Sequence, residues 1–364
     1  MHFYESSIIT TKDGLHCQVY GNEHPLGSIL VKPKYIPTSL VESSVLPYRF
    51  LSGRKMNRLN LWAPPEELKK YLLQFKSAYP HYIFKSNLHD EPRLFFSIPI
   101  DNIERIYFPR RGFKELMSMP PASLDAYLQK VYTFSLFLLK SGLEIKDLGI
   151  TYSTLMGHYD SEISDINIVV YGKKNFWKLM EFFHNSVHDL LRWKTDKEWL
   201  HFRNFRHRSL FFGEEDFLHS MRRKKSEGYF DNTLFVIFAA EKEDEVWFKW
   251  GEENYHSLGL VTIQGKVTGN FNSVVRPGCY EIEESTIIER PSTLSPKENI
   301  PVTKIVFYSR DYCLLAFPGE KIMASGILER VKPKEGEAYY RLVVGYFDSY
   351  ITERREKEYI KVLP

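Results

Sequence analysis

The chain has 364 residues, a formal net charge of +3 and a pI of about 8.4. This length predicts two or three domains at roughly 100–200 residues per domain, and an aromatic content of 15% argues against a disordered chain. Three scattered cysteines exclude a CxxC zinc ribbon and argue against a disulfide framework, so we expect a reducing, cytoplasmic setting. We expect no signal peptide, because no basic region followed by an apolar run opens the sequence, and no membrane span, because its most apolar stretch is too short.

Residues 1–119 are predicted to form a mixed α/β N-terminal domain. Short strands are expected at residues 7–11 and 15–20, on either side of a Lys-Asp-Gly turn. A helix is expected to begin after Pro64-Pro65 and to run through Leu73. A further strand is expected at residues 94–98.

Residues 120–255 are predicted to form the middle domain. A long apolar helix is expected to begin at the N-cap Ser123 and to end at Gly142. Strands are expected at residues 148–151, 166–171 and 233–239. The second has the density of β-branched residues typical of a buried strand, and the third is strongly apolar. Between the last two strands we expect a helix capped by Asn175 that extends to Leu191, followed by a charged helical stretch over residues 195–225.

Residues 256–364 are predicted to form a β-rich C-terminal domain. Short strands separated by Pro-Gly turns recur through this segment. That spacing favours a small barrel or sandwich, and we expect an OB-like barrel. The fold class predicted for the whole chain is therefore α+β.

The segment most informative about chemistry joins two of the middle strands. It contains Thr151-Tyr152-Ser153-Thr154 at a strand-to-helix turn and, about ten residues later, Asp165-Ile166-Asn167 at the start of a strand. It resembles the signature of the DNA polymerase β superfamily of nucleotidyltransferases. That signature is a Gly-Ser pair at such a turn, then about ten residues, then two carboxylates separated by one apolar residue.

The resemblance implies a nucleotidyltransferase fold that transfers a nucleotidyl group from an NTP to an acceptor hydroxyl. Residues 151–154 would hold the phosphates through backbone amides and the Ser153 hydroxyl. Positions 165 and 167 lie at i and i+2 on a strand, so both side chains point to one face and would hold Mg²⁺. Asp165 and Asn167 are therefore the candidate catalytic and metal-binding residues.

The sequence departs from this signature at two positions. Tyr152 stands where the glycine is expected, and its side chain crowds a loop that should admit phosphate. Asn167 stands where the second carboxylate is expected, and it brings no charge to a metal site. Asp231, just before the 233–239 strand, is a weak candidate for the third carboxylate of the superfamily.

The whole chain is also similar to a family of predicted archaeal nucleotidyltransferases. The similar motifs are IITTKDGL at residues 8–15, HPLG at 24–27, RRK at 222–224 and PGE at 318–320. That family has a mixed N-terminal segment, a polymerase-β-like middle and a β-rich C-terminal segment. The resemblance implies the same order of domains here.

A basic run in the charged helical stretch is the candidate nucleic-acid-binding surface. Basic residues interleaved with aromatic ones can follow a phosphate backbone and stack bases. The alternative is a solvated amphipathic helix whose phenylalanines face the core, which the acidic Glu214, Glu215 and Asp216 favour. The basic residues concerned are Arg203, Arg206, His207, Arg208, Arg222, Arg223, Lys224 and Lys225.

Two function classes remain open from the sequence. The first is a Mg²⁺-dependent nucleotidyltransferase whose partners are an NTP and an acceptor. The second is a non-catalytic scaffold built on the same fold, which binds nucleic acid or a protein. Tyr152 and Asn167 favour the scaffold. His184 and His188, four residues apart on a helix, are weak metal candidates because no glutamate follows the first histidine.

Overall fold

The structure is a computed structural model that describes residues 2–37, 47–49, 55–58, 65–91, 93–205, 213–295, 300–346, 348–349 and 352–363. It is mixed α+β, as the sequence predicts. No helix among these residues is long and apolar enough to cross a bilayer. Cys17, Cys279 and Cys313 are all free thiols.

The N-terminal segment is a largely antiparallel sheet flanked by helices. Its strands pair in the order β4-β5-β3-β2-β1-β8, and β7 pairs with both β3 and β6. The elements are β1 (Ile8–Thr11), β2 (His16–Val19), β3 (Ser28–Pro37), β4 (Pro47–Arg49), β5 (Lys55–Arg58), α1 (Pro65–Ala78), β6 (Ile83–Ser86), β7 (Arg93–Pro99), β8 (Ile103–Tyr107) and α2 (Pro109–Ser118).

The middle segment is built around a mixed sheet with the strand order β11-β12-β13-β10-β9. In that sheet β9 is antiparallel to β10, whereas β10 is parallel to β13. The elements are α3 (Ala126–Leu139), β9 (Leu148–Ile150), α4 (Tyr152–Met156), β10 (Ile166–Tyr171), α5 (Lys173–Asn185), β11 (Leu191–Trp193), α6 (Asp196–Phe205), α7 (Glu214–Arg222), β12 (Glu227–Phe230) and β13 (Thr233–Ala240).

The C-terminal segment contains a closed ring of strands. Successive pairings run β14-β15-β16-β18-β17, and β17 then pairs back with β14 to close the ring. The pairing of β16 with β18 is parallel and the others in the ring are antiparallel. The elements are β14 (Glu253–Gly269), β15 (Gly278–Glu289), β16 (Val302–Phe307), β17 (Lys321–Pro333), β18 (Tyr339–Val344) and β19 (Tyr359–Val362).

Buried cores join the three segments. Phe113 and Leu116 of α2 belong to the core of the middle segment, although they precede residue 120. Tyr308 and Tyr346, from the C-terminal segment, share a core with the N-terminal sheet. The segments therefore pack as parts of one body through shared apolar surface.

Several helix boundaries differ from the sequence predictions. Asp125, rather than Ser123, caps α3, because its carboxylate accepts a hydrogen bond of 2.8 Å from the Leu128 amide. The helix expected from Asn175 to Leu191 begins at Lys173 and ends at Asn185, and Leu191 opens β11. Val187 and Leu190, which fall within the expected helix, are exposed, so their apolar spacing reflects chance rather than a buried face. In the charged stretch, expected to be helical as far as residue 225, the last helix ends at Arg222.

Candidate functional site

Asp165 and Asn167 lie at the start of β10, as the sequence predicts. Asp165 directly precedes the strand and is partly exposed, and among the described residues its carboxylate makes no ion pair. Asn167 is only 4% exposed. Its side-chain amide donates a hydrogen bond of 3.3 Å to the carbonyl of Asp165, so the amide is turned towards the backbone.

The two faces of β10 are both covered. Ile166, Ile168 and Val170 point into the apolar core beneath the helices. The opposite face carries Asn167, Val169 and Tyr171, because side chains alternate along a strand. Tyr4 of the N-terminal segment packs edge-on against Tyr171, with ring centroids 5.3 Å apart. The face expected to bind the metal is therefore covered, at Tyr171, by a residue of the N-terminal segment.

The adjacent strand β13 supplies no carboxylate beside Asp165. Its residues Phe235 and Val236 stand opposite Ile166 and Asn167 in the parallel register. Asp231 precedes β13 and lies 3.8 Å from the ammonium group of Lys130. Within the ranges that the structure describes, no group of three or more His, Cys, Asp or Glu side chains is placed to hold a metal ion.

The turn at residues 151–154 is tied to its neighbours by hydrogen bonds. The Thr151 hydroxyl donates to the carbonyl of Ser6 at 2.7 Å, and the Thr151 amide donates to the carbonyl of Asn167 at 3.1 Å. The hydroxyl of Tyr127 donates to the Asp165 carbonyl at 2.9 Å, so the Thr154 hydroxyl donates to Tyr127 at 2.8 Å. Ser153 is partly exposed, and its carbonyl accepts from the amide of His158.

Tyr152 has a backbone conformation that is typical of glycine, but it carries a bulky side chain that packs against its neighbours. Its φ is +55°, in the left-handed region that glycine adopts without cost. Its ring packs edge-on against Phe238, and its hydroxyl accepts a hydrogen bond of 3.1 Å from Arg310. The ammonium group of Lys34 lies 3.3 Å from the ring centroid. Phe238 stands opposite Val169 in the register of β13 against β10, so this packing lies on the same strand face as Asn167.

A buried carboxylate neutralises the cations of this region. Glu5 is 1% exposed and accepts hydrogen bonds of 2.6 Å from both Arg276 and Arg310. Arg310 also donates to the hydroxyl of Ser6 at 2.8 Å. We call residues 151–154, Asp165, Asn167, Glu5, Arg276 and Arg310 the Asp165 region. Within it, Glu5 pairs with both arginines, whereas the Asp165 carboxylate makes no ion pair among the described residues.

The basic residues predicted to bind nucleic acid lie in different environments. Arg206, His207 and Arg208 lie outside the described residues. Arg203 is on α6 and donates to the side chain of Asn204. Arg222 makes two hydrogen bonds, of 2.7 and 2.9 Å, to Asp196, and Lys224 is only 7% exposed. Arg223 pairs with Glu320 and also donates to the Leu315 carbonyl at 2.6 Å.

Arg223 and Lys225 belong to a cleft of about 670 Å³ between α5 and the C-terminal ring. We call it the basic cleft. Four cationic side chains line it, with Glu181 as the acidic one. Its walls are formed by Lys174, Trp177, Lys178, Met180, Glu181, His184, Arg223, Lys225, Asn270, Phe271, Leu314 and Phe317.

Hydrogen bonds hold the walls of the basic cleft together. The indole N–H of Trp177 donates to the Phe271 carbonyl at 3.2 Å. Lys173, at the start of α5, is buried and donates to Asn272 at 2.8 Å and to Glu241 at 2.9 Å. The guanidinium group of Arg223 lies 5.0 Å from the Phe317 ring centroid.

The sequence predictions overlooked α5 as a wall of this cleft, although its pattern carries a signal. Lys174, Trp177, Lys178 and Glu181 recur at spacings of three and four residues, opposite the buried stripe of the same helix. Residues three and four apart share one helix face. A tryptophan among lysines on an exposed face is a pattern that packing alone does not require.

The comparisons with known proteins leave the family open. No family model matches the sequence, and no solved structure matches it. The chain is similar to an uncharacterized archaeal protein, MJ1086 of Methanocaldococcus jannaschii. The two are 28% identical over 359 residues, which cover 98% of this chain and 97% of that protein.

Proposed function

We propose that this protein is a non-catalytic scaffold built on a nucleotidyltransferase-like sheet, and that its partner is nucleic acid. The observation that carries the first part is the burial of Asn167. A two-metal site needs carboxylates that share an open face. Here the second position is an amide, 4% exposed, on the strand face whose Tyr171 is packed by Tyr4 of the N-terminal segment.

The nucleotidyltransferase-like sheet is supported by its connections. A helix-flanked mixed sheet places the turn of residues 151–154 between β9 and β10 and sets β13 parallel to β10. The φ of +55° at Tyr152 is that of a glycine position. Both features fit the signature that the segment resembles, with the glycine and the second carboxylate replaced.

The nucleic-acid partner is supported by the C-terminal ring. Its pairing order and its parallel β16–β18 contact are those of an OB-like barrel, a fold that binds oligonucleotides. However, β15 exposes Glu281, Glu283 and Glu284 on its outer surface. Those carboxylates repel phosphate, so the outer surface of β15 is not the surface that binds nucleic acid.

The test pairs two measurements on the full chain. Titration calorimetry with Mg²⁺ and each of ATP, GTP, CTP and UTP is expected to show no Mg²⁺-dependent binding at Asp165. Micromolar, Mg²⁺-dependent binding that is lost in Asp165→Asn would contradict the scaffold. Fluorescence anisotropy with a labelled single-stranded decanucleotide is expected to show binding at low salt. Absence of strand binding at low salt would reject the nucleic-acid partner.

A second candidate is nucleotidyl transfer from an NTP to an acceptor hydroxyl, with Mg²⁺ at Asp165. It is favoured by the partial exposure of Asp165, whose carboxylate no described cation neutralises. Incubation with Mg²⁺ and a labelled NTP decides between the two. Incorporation of label by the natural chain, abolished in Asp165→Asn, would establish the second candidate and overturn the scaffold.

A further inference from the structure

We propose that the basic cleft binds a nucleotide unit, with its base against the Trp177 and Phe271 rings and its phosphate on the lysines of α5. This inference rests on the proposed nucleic-acid partner and deepens it. The ligand chemistry is a phosphorylated nucleoside, which either a free nucleotide or one unit of a single strand supplies. The basic cleft is a different surface from the Asp165 region.

Charge is the first observation behind this proposal. Lys174, Lys178 and Lys225 make no ion pair with any described residue, whereas Arg223 is neutralised by Glu320. The Lys178 ammonium group donates a hydrogen bond of 2.9 Å to the Gly142 carbonyl, which carries no charge to neutralise it. Glu181 alone opposes the three ammonium groups on the walls that the structure describes. Cations that line one cleft without enough counter-charge repel one another, and a phosphate relieves that repulsion.

The environment of Lys225 points the same way. Its ammonium group lies 4.6 Å from the centroid of the Trp193 ring. Burial lowers the pKa of Lys225 below its ordinary value. A half-buried amine next to an open cleft is stabilised by an anion that enters it, because the anion favours the charged form.

Aromatic rings are the second observation. Phe271 is 44% exposed in the loop between β14 and β15, and Trp177 is half-buried on α5. The hydrogen bond from the Trp177 indole to the Phe271 carbonyl fixes these residues side by side. Base stacking on an aromatic ring contributes about 1–3 kcal/mol per base and tolerates any base sequence.

Size is the third observation. A volume of about 670 Å³ lies within the range of small-molecule sites, roughly 300–1,000 Å³. One nucleotide, or two neighbouring units of a strand, fit such a volume. A duplex does not, because stacking requires bases that are free of their pairing partners.

The experiment uses the full chain and compares two charge reversals of equal size. Lys174→Glu with Lys178→Glu alters the basic cleft, and Lys70→Glu with Lys76→Glu makes the same change on exposed positions of α1. Anisotropy with a labelled single-stranded decanucleotide is expected to show an affinity loss of about tenfold or more for the first variant. The α1 variant should lose less than about threefold.

Two further arms identify the ligand and the rings. Phe271→Ala should weaken strand binding by at least about fivefold, which is the lower end of stacking on one base. Binding of the natural chain should have a slope of log affinity against log salt of about −2, from three lysines at roughly −0.7 each. Unlabelled AMP and inorganic phosphate are added as competitors.

The outcomes separate the two proposals. Competition by AMP at micromolar concentration assigns the basic cleft to a free nucleotide, whereas competition by the unlabelled strand alone assigns it to a strand. If the strand binds but both charge variants behave alike, the nucleic-acid partner stands and the cleft proposal is overturned. If neither strand nor AMP binds at low salt, both proposals fall. A duplex that competes as well as the strand also overturns the cleft proposal.

Discussion

The Asp165 region and the basic cleft both contain cations and aromatic rings, but only the Asp165 region contains as many carboxylates as cations. In the Asp165 region, Glu5 pairs with Arg276 and Arg310, and Tyr152 is packed by Phe238 and Lys34. In the basic cleft, three lysines have no ion-pair partner among the described residues, and the Phe271 ring is exposed. Residue types alone therefore do not distinguish a structural network from a binding site, whereas local charge balance does.

The largest effect is expected when the balance of the Asp165 region is broken. Glu5→Gln removes the charge that neutralises two guanidinium groups, and Arg276 is almost fully buried. Leaving a buried charge unpaired costs about 3–5 kcal/mol. Urea denaturation followed by circular dichroism should show a loss of that size. Glu162→Gln, at an exposed carboxylate, is the control and should change stability by less than about 0.5 kcal/mol.

A result in which Glu5→Gln is as stable as the natural chain would contradict the comparison. It would mean that the Asp165 region tolerates an unpaired cation as the basic cleft does. The region would then regain its standing as a candidate phosphate site.

A smaller effect is expected from pH at the border of the Asp165 region. Burial lowers the pKa of His16 to about 4, and burial together with His16 lowers the pKa of His158 to about 4. Both rings are neutral in the fold but protonate near pH 6.5 when unfolded, so stability is retained above pH 6.5 and lost as pH falls towards 4. We expect a loss of about 2 kcal/mol between pH 7 and pH 5, after allowing for partial solvent screening.

The variant His16→Gln with His158→Gln checks this assignment. It should flatten the dependence of stability on pH, whereas His219→Gln, at an exposed ring, should leave it unchanged. An unaltered dependence in the double variant would show that other groups, such as the buried His24 and His89, dominate the acid sensitivity.

The smallest effect is expected at Arg222, in the basic run singled out from the sequence. Its guanidinium group is paired with Asp196 on the surface, where water screens the ion pair. Arg222→Gln should therefore leave stability nearly unchanged and change strand affinity by less than about twofold. The same anisotropy assay measures it. A loss as large as that of the Lys174 and Lys178 variant would move the binding surface from the basic cleft to α7.

The sequence was sufficient for most strands because their apolar patterns are local. The strand at residues 166–171 was predicted with the bounds that the structure shows, since four of its six residues are β-branched. The helix expected to reach Leu191 was wrong: it ends at Asn185, and in the turn that follows it the His188 ring accepts a hydrogen bond from the Leu190 amide. The spacing of apolar residues along the chain does not predict that contact.

The candidate site was less predictable because it depends on long-range contacts. The motif at residues 151–167 was found from its spacing, but the covering of β10 by Tyr4 joins positions more than 160 residues apart. The pairing of Arg222, Arg223 and their partners is likewise set by tertiary structure. The basic cleft needs α5 beside the loop of Phe271, and no local pattern places these two elements together.

Lys173 gives the basic cleft a property that concerns the entropy of binding. Its buried ammonium group bridges the start of α5 to Asn272, the residue after Phe271, and to Glu241 at the end of β13. The spacing between the Trp177 wall and the Phe271 wall is therefore fixed before any ligand arrives. A ligand that enters a preorganised cleft pays little for ordering loops and side chains. The affinity of such a site is set by the ligand's own contacts, and its walls do not have to close around it.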